Sequence, residues 1–181
     1  ITTSASVSSR PLRLGFGGGG TMQHTTVLVR QNTLDLTAGS VLIAVDLSAA
    51  VLDQAGAISI LRNRFTLNAD GGVIHGIDFT TPVTNLPVVD IGQNTIVATV
   101  TGSVAVTSAG FTYFEGAWTG TTAIFRDNNV TNLGASIVPM SAVAAGGLAG
   151  ARSIRLRCNF QDGALAARFD DTNLNNLVAV N

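Results

Sequence analysis

The side chains best suited to binding or catalysis gather in the segment "FTYFEGAWTG", near the middle of the chain. This segment holds Glu115, the single glutamate among 181 residues, close to Trp118, the single tryptophan. Aromatic rings stack on sugar rings and carboxylates accept hydrogen bonds from hydroxyl groups, so this pairing is typical of a carbohydrate or small-ligand site. The same residues also fit the aromatic part of a hydrophobic core, with Glu115 in a turn before Gly116. Both interpretations stay open.

Oxygen-bearing side chains collect in two further segments, "RDNN" and "FDDTNLNN". Their hard oxygen ligands suit calcium, although the spacing matches no EF-hand and such residues also end strands in ordinary turns. One cysteine and two histidines argue against a structural zinc site. Calcium is therefore the one cofactor considered, with these candidate ligands: Asp127, Asn128, Asp170, Asp171 and Asn173.

The sequence contains no convincing catalytic pattern. Gly15, Gly17 and Gly20 satisfy G-x-G-x-x-G, but the residues after them alternate as in a strand, whereas a phosphate-binding motif needs a helix there. A chain without lysine cannot complete a Walker A loop. Of the two histidines, His24 and His75, the second is interpreted as a strand residue that could face solvent. We therefore expect a protein that is not an enzyme.

The composition narrows the choice of partners. Charged residues make up 12% of the chain, about half the usual share, and the net charge is −1. This balance provides no attraction for nucleic acid, and no apolar run is long enough for membrane insertion. A surface with so little charge tends to associate with copies of itself. Cys158 alternates with polar residues in "SIRLRCNF", so it is predicted to be buried and inert.

Period-two alternation runs through most of the chain, and helical periodicity is scarce. The Asp-Gly pair of "FQDGAL" predicts a β-hairpin, and residues 46–57 are interpreted as a loop or a short helix. Many short, regularly spaced strands predict a single all-β domain, a β-sandwich or jelly roll, with a β-barrel as the alternative. The strands are expected near residues 25–30, 41–47, 57–67, 73–79, 95–107, 111–114, 119–125, 129–138, 153–160, 164–169 and 174–180.

A faint internal repeat links two distant segments. "QNTLDLTAGSVLIAV" at 31–45 resembles "QNTIVATVTGSVAV" at 93–106 when a gap of one residue is allowed. The likeness is interpreted as two similar hairpin units or as chance, because short repeats of Thr, Val and Gly arise easily.

The N-terminal residues form a candidate assembly element. Residues 1–20 are predicted to be an arm and glycine hinge, and residues 21–181 the β-domain. Thr3, Ala5 and Val7 share one face of the arm, and the hinge has five glycines in six residues, which leaves its backbone very free. The arm can complete the sheet edge of a neighbouring subunit, fold back on its own body or fray.

Two arginines form a second candidate contact for assembly. Arg155 and Arg157 share the outward face of a predicted strand. Such a row is usually solvated, but in a protein of low charge it can pair with an acidic turn of a neighbouring subunit.

These expectations combine into a function without catalysis. The sequence predicts a self-assembling structural protein, either a subunit of an extracellular filament, tube or surface layer, or a virion coat or decoration protein. Its partners are then copies of itself, and its location is extracellular, at the cell surface or in a virion. Since residue 1 is not methionine, removal of a leader is also considered. The alternative is a secreted carbohydrate- or small-ligand-binding β-domain.

Overall fold

A computed structural model describes most of the chain, and the statements below concern those residues. They are residues 2–5, 8–9, 11–22, 26–53, 56–79, 83–100, 106–114, 118–133, 138–142, 153–161, 164–165 and 177–179. The described part is built from β-strands, which confirms the predicted all-β class. It contains no helix long and apolar enough to cross a membrane.

The strands form three sheets, here named A, B and C. Sheet A contains β1 (Thr2–Ala5), β5 (Thr33–Ala38), β8 (Arg64–Ala69), β12 (Thr95–Val100), β16 (Asn129–Leu133), β19 (Phe160–Gln161) and β20 (Ala164–Leu165). Sheet B contains β2 (Ser8–Ser9), β3 (Leu12–Met22), β6 (Val41–Asp53), β9 (Gly72–Phe79), β10 (Val83–Thr84), β13 (Val106–Phe114), β14 (Trp118–Thr119) and β17 (Val138–Ala142). Sheet C contains β4 (Thr26–Arg30), β7 (Ala57–Leu61), β11 (Val89–Gly92), β15 (Thr122–Arg126), β18 (Ser153–Arg157) and β21 (Leu177–Ala179).

The chain visits the three sheets in rotation. It passes from β4 in sheet C to β5 in sheet A and β6 in sheet B, then returns to sheet C one position further along. Each passage is called a coil below. Equivalent strands of neighbouring coils pair in parallel, as in Leu34 with Phe65 and Val27 with Ile58. This is the topology of a parallel β-solenoid, in which each unit packs only on its neighbours.

Parallel pairing argues against the predicted sandwich or jelly roll, which are built from antiparallel strands. The alternation of apolar and polar residues reports which face of a strand is buried, but it does not report the direction of the neighbouring strand. One predicted hairpin is confirmed, because Phe160 and Gln161 pair antiparallel with Leu165 and Ala164 on either side of the Asp-Gly pair of "FQDGAL".

The core is made of apolar side chains stacked from coil to coil. One stack in sheet A contains Leu34, Phe65, Ile96 and Val130, which are register partners and are all buried. The facing stack in sheet C includes Ile60, Ile91 and Phe125. Because equivalent positions carry side chains of similar size, each coil covers the apolar face of the next and removes it from water.

A sharp turn connects sheet C to sheet A in every described coil. The first turn residue has a positive φ angle, and in chain order these residues are Gln31, Arg62, Gln93, Asp127 and Cys158. The backbone pairing between coils continues through the turns, for example from Arg62 N to Gly92 O at 3.0 Å and from Gln93 N to Arg126 O at 2.8 Å. The turn therefore adds no break to the hydrogen-bonded stack.

The second turn residue is asparagine in each of these coils. The five residues, called the asparagine ladder below, are Asn32, Asn63, Asn94, Asn128 and Asn159. Successive members lie 31, 31, 34 and 31 residues apart and hydrogen-bond through their side chains. All except half-buried Asn32 are buried. A carboxamide is short and carries both a donor and an acceptor, so identical residues can stack at the strand spacing of about 4.8 Å.

Asn94 illustrates how completely a ladder side chain is satisfied. Its Oδ1 accepts hydrogen bonds from the backbone N and the Nδ2 of Asn63, at 3.0 and 2.9 Å. Its Nδ2 donates to Asn128 Oδ1 at 3.0 Å and to the carbonyl of Ile60 at 2.8 Å. Asn63 and Asn128 make the same four kinds of contact. Buried amides without these partners would destabilise the fold.

The structure also corrects three local predictions, two of them at the turns. The strand expected at 57–67 is interrupted by the turn at Arg62 and becomes β7 and β8. Cys158, predicted to be buried in a strand, is half-buried at the turn position, with a φ angle of 47°. Strand alternation stops at Arg157, so it cannot be extrapolated to the cysteine. The loop or helix expected at 46–57 is instead strand as far as Asp53.

The N-terminal residues lie on the first coil of the same chain. β1 pairs in parallel with β5, and β2 and β3 pair with β6. The predicted boundary at residue 20 falls inside β3. Within β3, Gly15 and Gly20 pair with the consecutive residues Ala49 and Ala50, so the four residues between them form a bulge. The glycine run is thus placed at an irregularity of a paired strand.

We expect removal of a central ladder side chain to cost more stability than removal of a terminal one. Asn94→Ala removes the acceptor of Asn63 N and the donor to Ile60 O, and it leaves Asn128 Oδ1 with one of its two donors, the backbone N of residue 94, which should cost about 3 kcal/mol or more. Asn32→Ala, at the half-buried end, is the matched control and should cost less than half as much. Urea unfolding followed by circular dichroism measures both, and equal effects would contradict the ladder's role.

Candidate functional site

The outward face of sheet C carries the largest group of charged side chains near one another in the described structure. Strand alternation directs Arg126, Arg155 and Arg157 outward, because Ala123 and Phe125 of the same sheet point into the core. The strand register places Arg126 next to Arg157 and Ile124 next to Arg155. Two neighbouring coils thus bring three guanidinium groups together at one place.

Arg126 is held in position by Asp90 of the preceding coil. Its Nε and NH2 donate to the two carboxylate oxygens of Asp90, at 3.1 and 2.9 Å. Asp127, beside it in the chain, is more distant, with its Oδ2 3.7 Å from Arg126 NH1. Hydrogen bonding to Asp90 raises the pKa of Arg126 above its ordinary value, although partial burial opposes this effect. The two-point contact fixes the plane of the guanidinium group.

Gly92 provides the space that this contact needs. Arg126 is its register partner, and the arginine side chain crosses the glycine on its way to Asp90. A Cβ atom at Gly92 would lie 2.9 Å from Cγ and 3.2 Å from Cζ of Arg126. Any larger residue at this position therefore has to displace the arginine.

Arg155 and Arg157 are exposed, as their alternation predicted. Together with Ile124 and Arg126 they line a cleft of about 320 Å³. No acidic side chain of the described residues forms an ion pair with either of them. The cleft therefore has an apolar contact at Ile124, one arginine bound to Asp90 and two arginines available to a ligand. Their predicted role in assembly stays a prediction.

An apolar side chain is exposed at the edge of the same sheet. β4 is the edge strand of sheet C, and β21 is the edge strand at the other end. Leu28 of β4 is 57% exposed and is the one large apolar side chain so exposed in the described part of the chain. Apolar edge strands are sites where another chain can add.

Sheet B contains a buried polar cluster that the sequence did not predict. His75, expected to face solvent, is buried, and its Nδ1 lies 2.9 Å from Asp78 Oδ2. In a straight strand, residues three apart point to opposite faces and lie about 10 Å apart, so β9 must bend between them. Asp46, also buried, is the register partner of Asp78 and lies 3.5 Å from Arg13 Nε. The second oxygen of Asp78 has no partner in the described structure.

The candidate calcium ligands are not brought together in the described residues. Asn128 belongs to the asparagine ladder, and its Oδ1 already accepts two hydrogen bonds from Asn94. Asp127 is exposed and faces Arg126. Asp170, Asp171 and Asn173 lie outside the described residues. In the part of the chain that is described, no three His, Cys, Asp or Glu side chains could share a metal ion. The calcium site stays a prediction.

The two residues of the candidate ligand site lie where the structure describes no side chains. Glu115 lies outside the described residues, and Trp118 is known here by its backbone, which pairs with Val83. The ligand site proposed for this pair therefore stays a prediction.

The assembly residues of the arm are described in part. Thr3 and Ala5 belong to β1 and are register partners of Leu36 and Ala38, while Val7 lies outside the described residues. This pairing within one chain corresponds to the fold-back alternative for the arm. Pairing with a neighbouring subunit stays a prediction.

Comparison with known proteins finds no matching family model, no matching curated protein and no matching solved structure.

We expect Gly92→Ala to act on stability through the Arg126–Asp90 ion pair. The added methyl group displaces Arg126, and because the pair is partly exposed the coupling should be about 0.5–1 kcal/mol. The measurement is a double-mutant cycle in which Gly92→Ala is made in the wild-type and the Asp90→Asn backgrounds. If the substitution costs the same in both, Gly92 does not serve the ion pair.

Proposed function

We propose that this chain is a non-enzymatic structural protein that assembles with copies of itself. Within that class, it is a subunit of an extracellular filament, tube or surface layer, or a virion coat or decoration protein. The proposal is supported by the topology of sheet C, whose six strands are all parallel, with β4 at one edge and β21 at the other.

The two edges of a parallel sheet are complementary. Every strand runs in the same direction, so a copy placed after β21 can offer its own β4 as the next strand without reversing its orientation. The contact is then head-to-tail, and its repetition gives an open filament unless rotation between copies closes a ring.

Sheet C is better suited to this contact than the other two sheets. Sheet A ends on the antiparallel strand β20, which interrupts the parallel order. In sheet B, β3 pairs with β6 outside the main strand order, and this pairing shifts register twice. In sheet C, the pairing of β4 with β7 is regular from Thr26 to Arg30, and exposed Leu28 lies at the centre of that strand. Burial of this leucine would add to the main-chain hydrogen bonds gained at the edge.

The asparagine ladder makes the subunit suitable for a load-bearing structure. Side-chain hydrogen bonds connect the five successive turns from Asn32 to Asn159, and all except the one between Asn32 and Asn63 are buried. Neighbouring coils are thus joined by side-chain hydrogen bonds as well as by backbone pairing and apolar stacking.

We expect Leu28→Lys to weaken self-association by about tenfold or more, because it removes the apolar contact and places a charge at the edge strand. Sedimentation velocity over a range of concentrations measures the association, and negative-stain microscopy shows its geometry.

The matched control is Thr37→Lys, which adds the same charge to an exposed position of β5, a strand with partners on both sides. It should assemble like the wild type. A wild-type protein that stays monomeric at every concentration would contradict the proposed function, and equal weakening by both substitutions would contradict the edge of sheet C as the contact.

A further inference from the structure

We infer that the arginine cleft of sheet C is a binding site for an oxyanion of the sulfate or phosphate type, either free or carried by an acidic polysaccharide. Asp90 and Asp127 both lie against Arg126, and no acid of the described residues forms an ion pair with Arg155 or Arg157. The three guanidinium groups and the two carboxylates together carry a net positive charge, which an oxyanion can balance.

The strand geometry places the three arginines at distances that suit one tetrahedral group. Arg155 and Arg157 are two residues apart on one strand, about 6.6 Å between Cα atoms, and Arg126 is the register partner of Arg157, about 4.8 Å away. Long side chains from these positions can converge above Ile124, which lies between Arg126 and Arg155 in the cleft lining. Guanidinium groups donate two parallel hydrogen bonds to such oxyanions.

Part of the site is organised before a ligand arrives. Asp90 fixes the guanidinium plane of Arg126, and Gly92 leaves the arginine side chain room to lie across the sheet. A held side chain loses less conformational entropy on binding than a free one. Arg155 and Arg157 supply guanidinium groups without an ion-pair partner among the described residues, and Arg126 supplies a guanidinium group whose position is fixed by Asp90.

An acidic polysaccharide fits this cleft better than a nucleic acid does. Among the described residues the cleft is lined by Ile124 and three arginines, and none of these offers an aromatic ring on which a base could stack.

The first test titrates the full-length chain with sodium sulfate and with inorganic phosphate by calorimetry at low ionic strength, against sodium chloride of equal ionic strength. Both oxyanions should bind, and chloride should not. The double substitution Arg155→Gln/Arg157→Gln should weaken binding by about tenfold or more. Arg30→Gln is the matched control, since Arg30 is an exposed arginine at the far end of the same sheet, and binding should change by less than about twofold.

A second double substitution tests whether the oxyanion is held by charge alone or also by the two-point hydrogen bonds of arginine. Arg155→Lys/Arg157→Lys keeps the charge but loses the two-point hydrogen bonds, so its affinity should lie between those of the wild type and the glutamine variant. Three results would each overturn the site. They are wild-type affinity in the lysine variant, unchanged affinity in the glutamine variant, and no oxyanion binding by the wild type.

The source of the oxyanion is identified by comparing dextran sulfate, neutral dextran and a single-stranded oligonucleotide of matched charge. Dextran sulfate should bind in an Arg155- and Arg157-dependent way and neutral dextran should not. Tighter binding of the oligonucleotide would overturn the polysaccharide assignment. Repeating the sulfate titration with Leu28→Lys keeps the result independent of self-association, because that substitution lies outside the cleft lining.

Discussion

This structure depends on one constraint, which is that the buried side-chain amides of the asparagine ladder must be hydrogen-bonded. Each internal amide is satisfied by identical amides and by backbone groups of the neighbouring coils. Each internal ladder asparagine uses two donors and two acceptor positions, and its partners come from the coils on either side. Moving Asn94 by one residue within its turn would therefore leave several buried polar groups unpaired. The ladder fixes where each turn lies, and the turn fixes the register of the strands on both of its sides.

The same constraint explains how the charged cleft is formed. Sheet C ends where the turn begins, so Gly92, Arg126 and Arg157 occupy equivalent positions directly before successive turns. A glycine in one coil and an arginine in the next allow the longer side chain to reach backwards to Asp90. Side chains far apart in sequence are brought together because the stack repeats, and the chemistry of the cleft follows from small differences between otherwise similar coils.

Period-two alternation was sufficient to predict an all-β protein and the outward direction of Arg155 and Arg157, and the Asp-Gly pair was sufficient to predict the hairpin at "FQDGAL". It could not predict parallel pairing, because an alternating strand looks the same with either neighbour. The useful signal was the likeness of "QNTLDL" and "QNTIVA": Gln31 and Gln93 occupy the same turn position two coils apart. The intermediate copy begins "RNRFTL", where arginine replaces glutamine and threonine, and this hid the repeat of 31 residues.

The site was less predictable than the strands. The partners Asp90 and Arg126 are 36 residues apart, and nothing local connects them. The contact between His75 and Asp78 requires a bend in β9, which alternation alone does not reveal. Asn128 had the right chemistry for a metal ligand, yet both lone-pair positions of its oxygen serve the ladder. The composition shows which donors and acceptors are present, but the pairing between coils determines which of them already have hydrogen-bond partners.

Strands stacked as coils also have a mechanical consequence. The hydrogen bonds between coils run along the axis of the stack, so a force that pulls on its two ends loads them directly. The outermost coil has neighbours on one side and should detach first, which makes extension a sequence of separate events. Each 31-residue step of the ladder would then release about 100 Å of extended chain. A structure of this kind can lengthen under load by giving up one coil at a time while the rest of the stack stays folded.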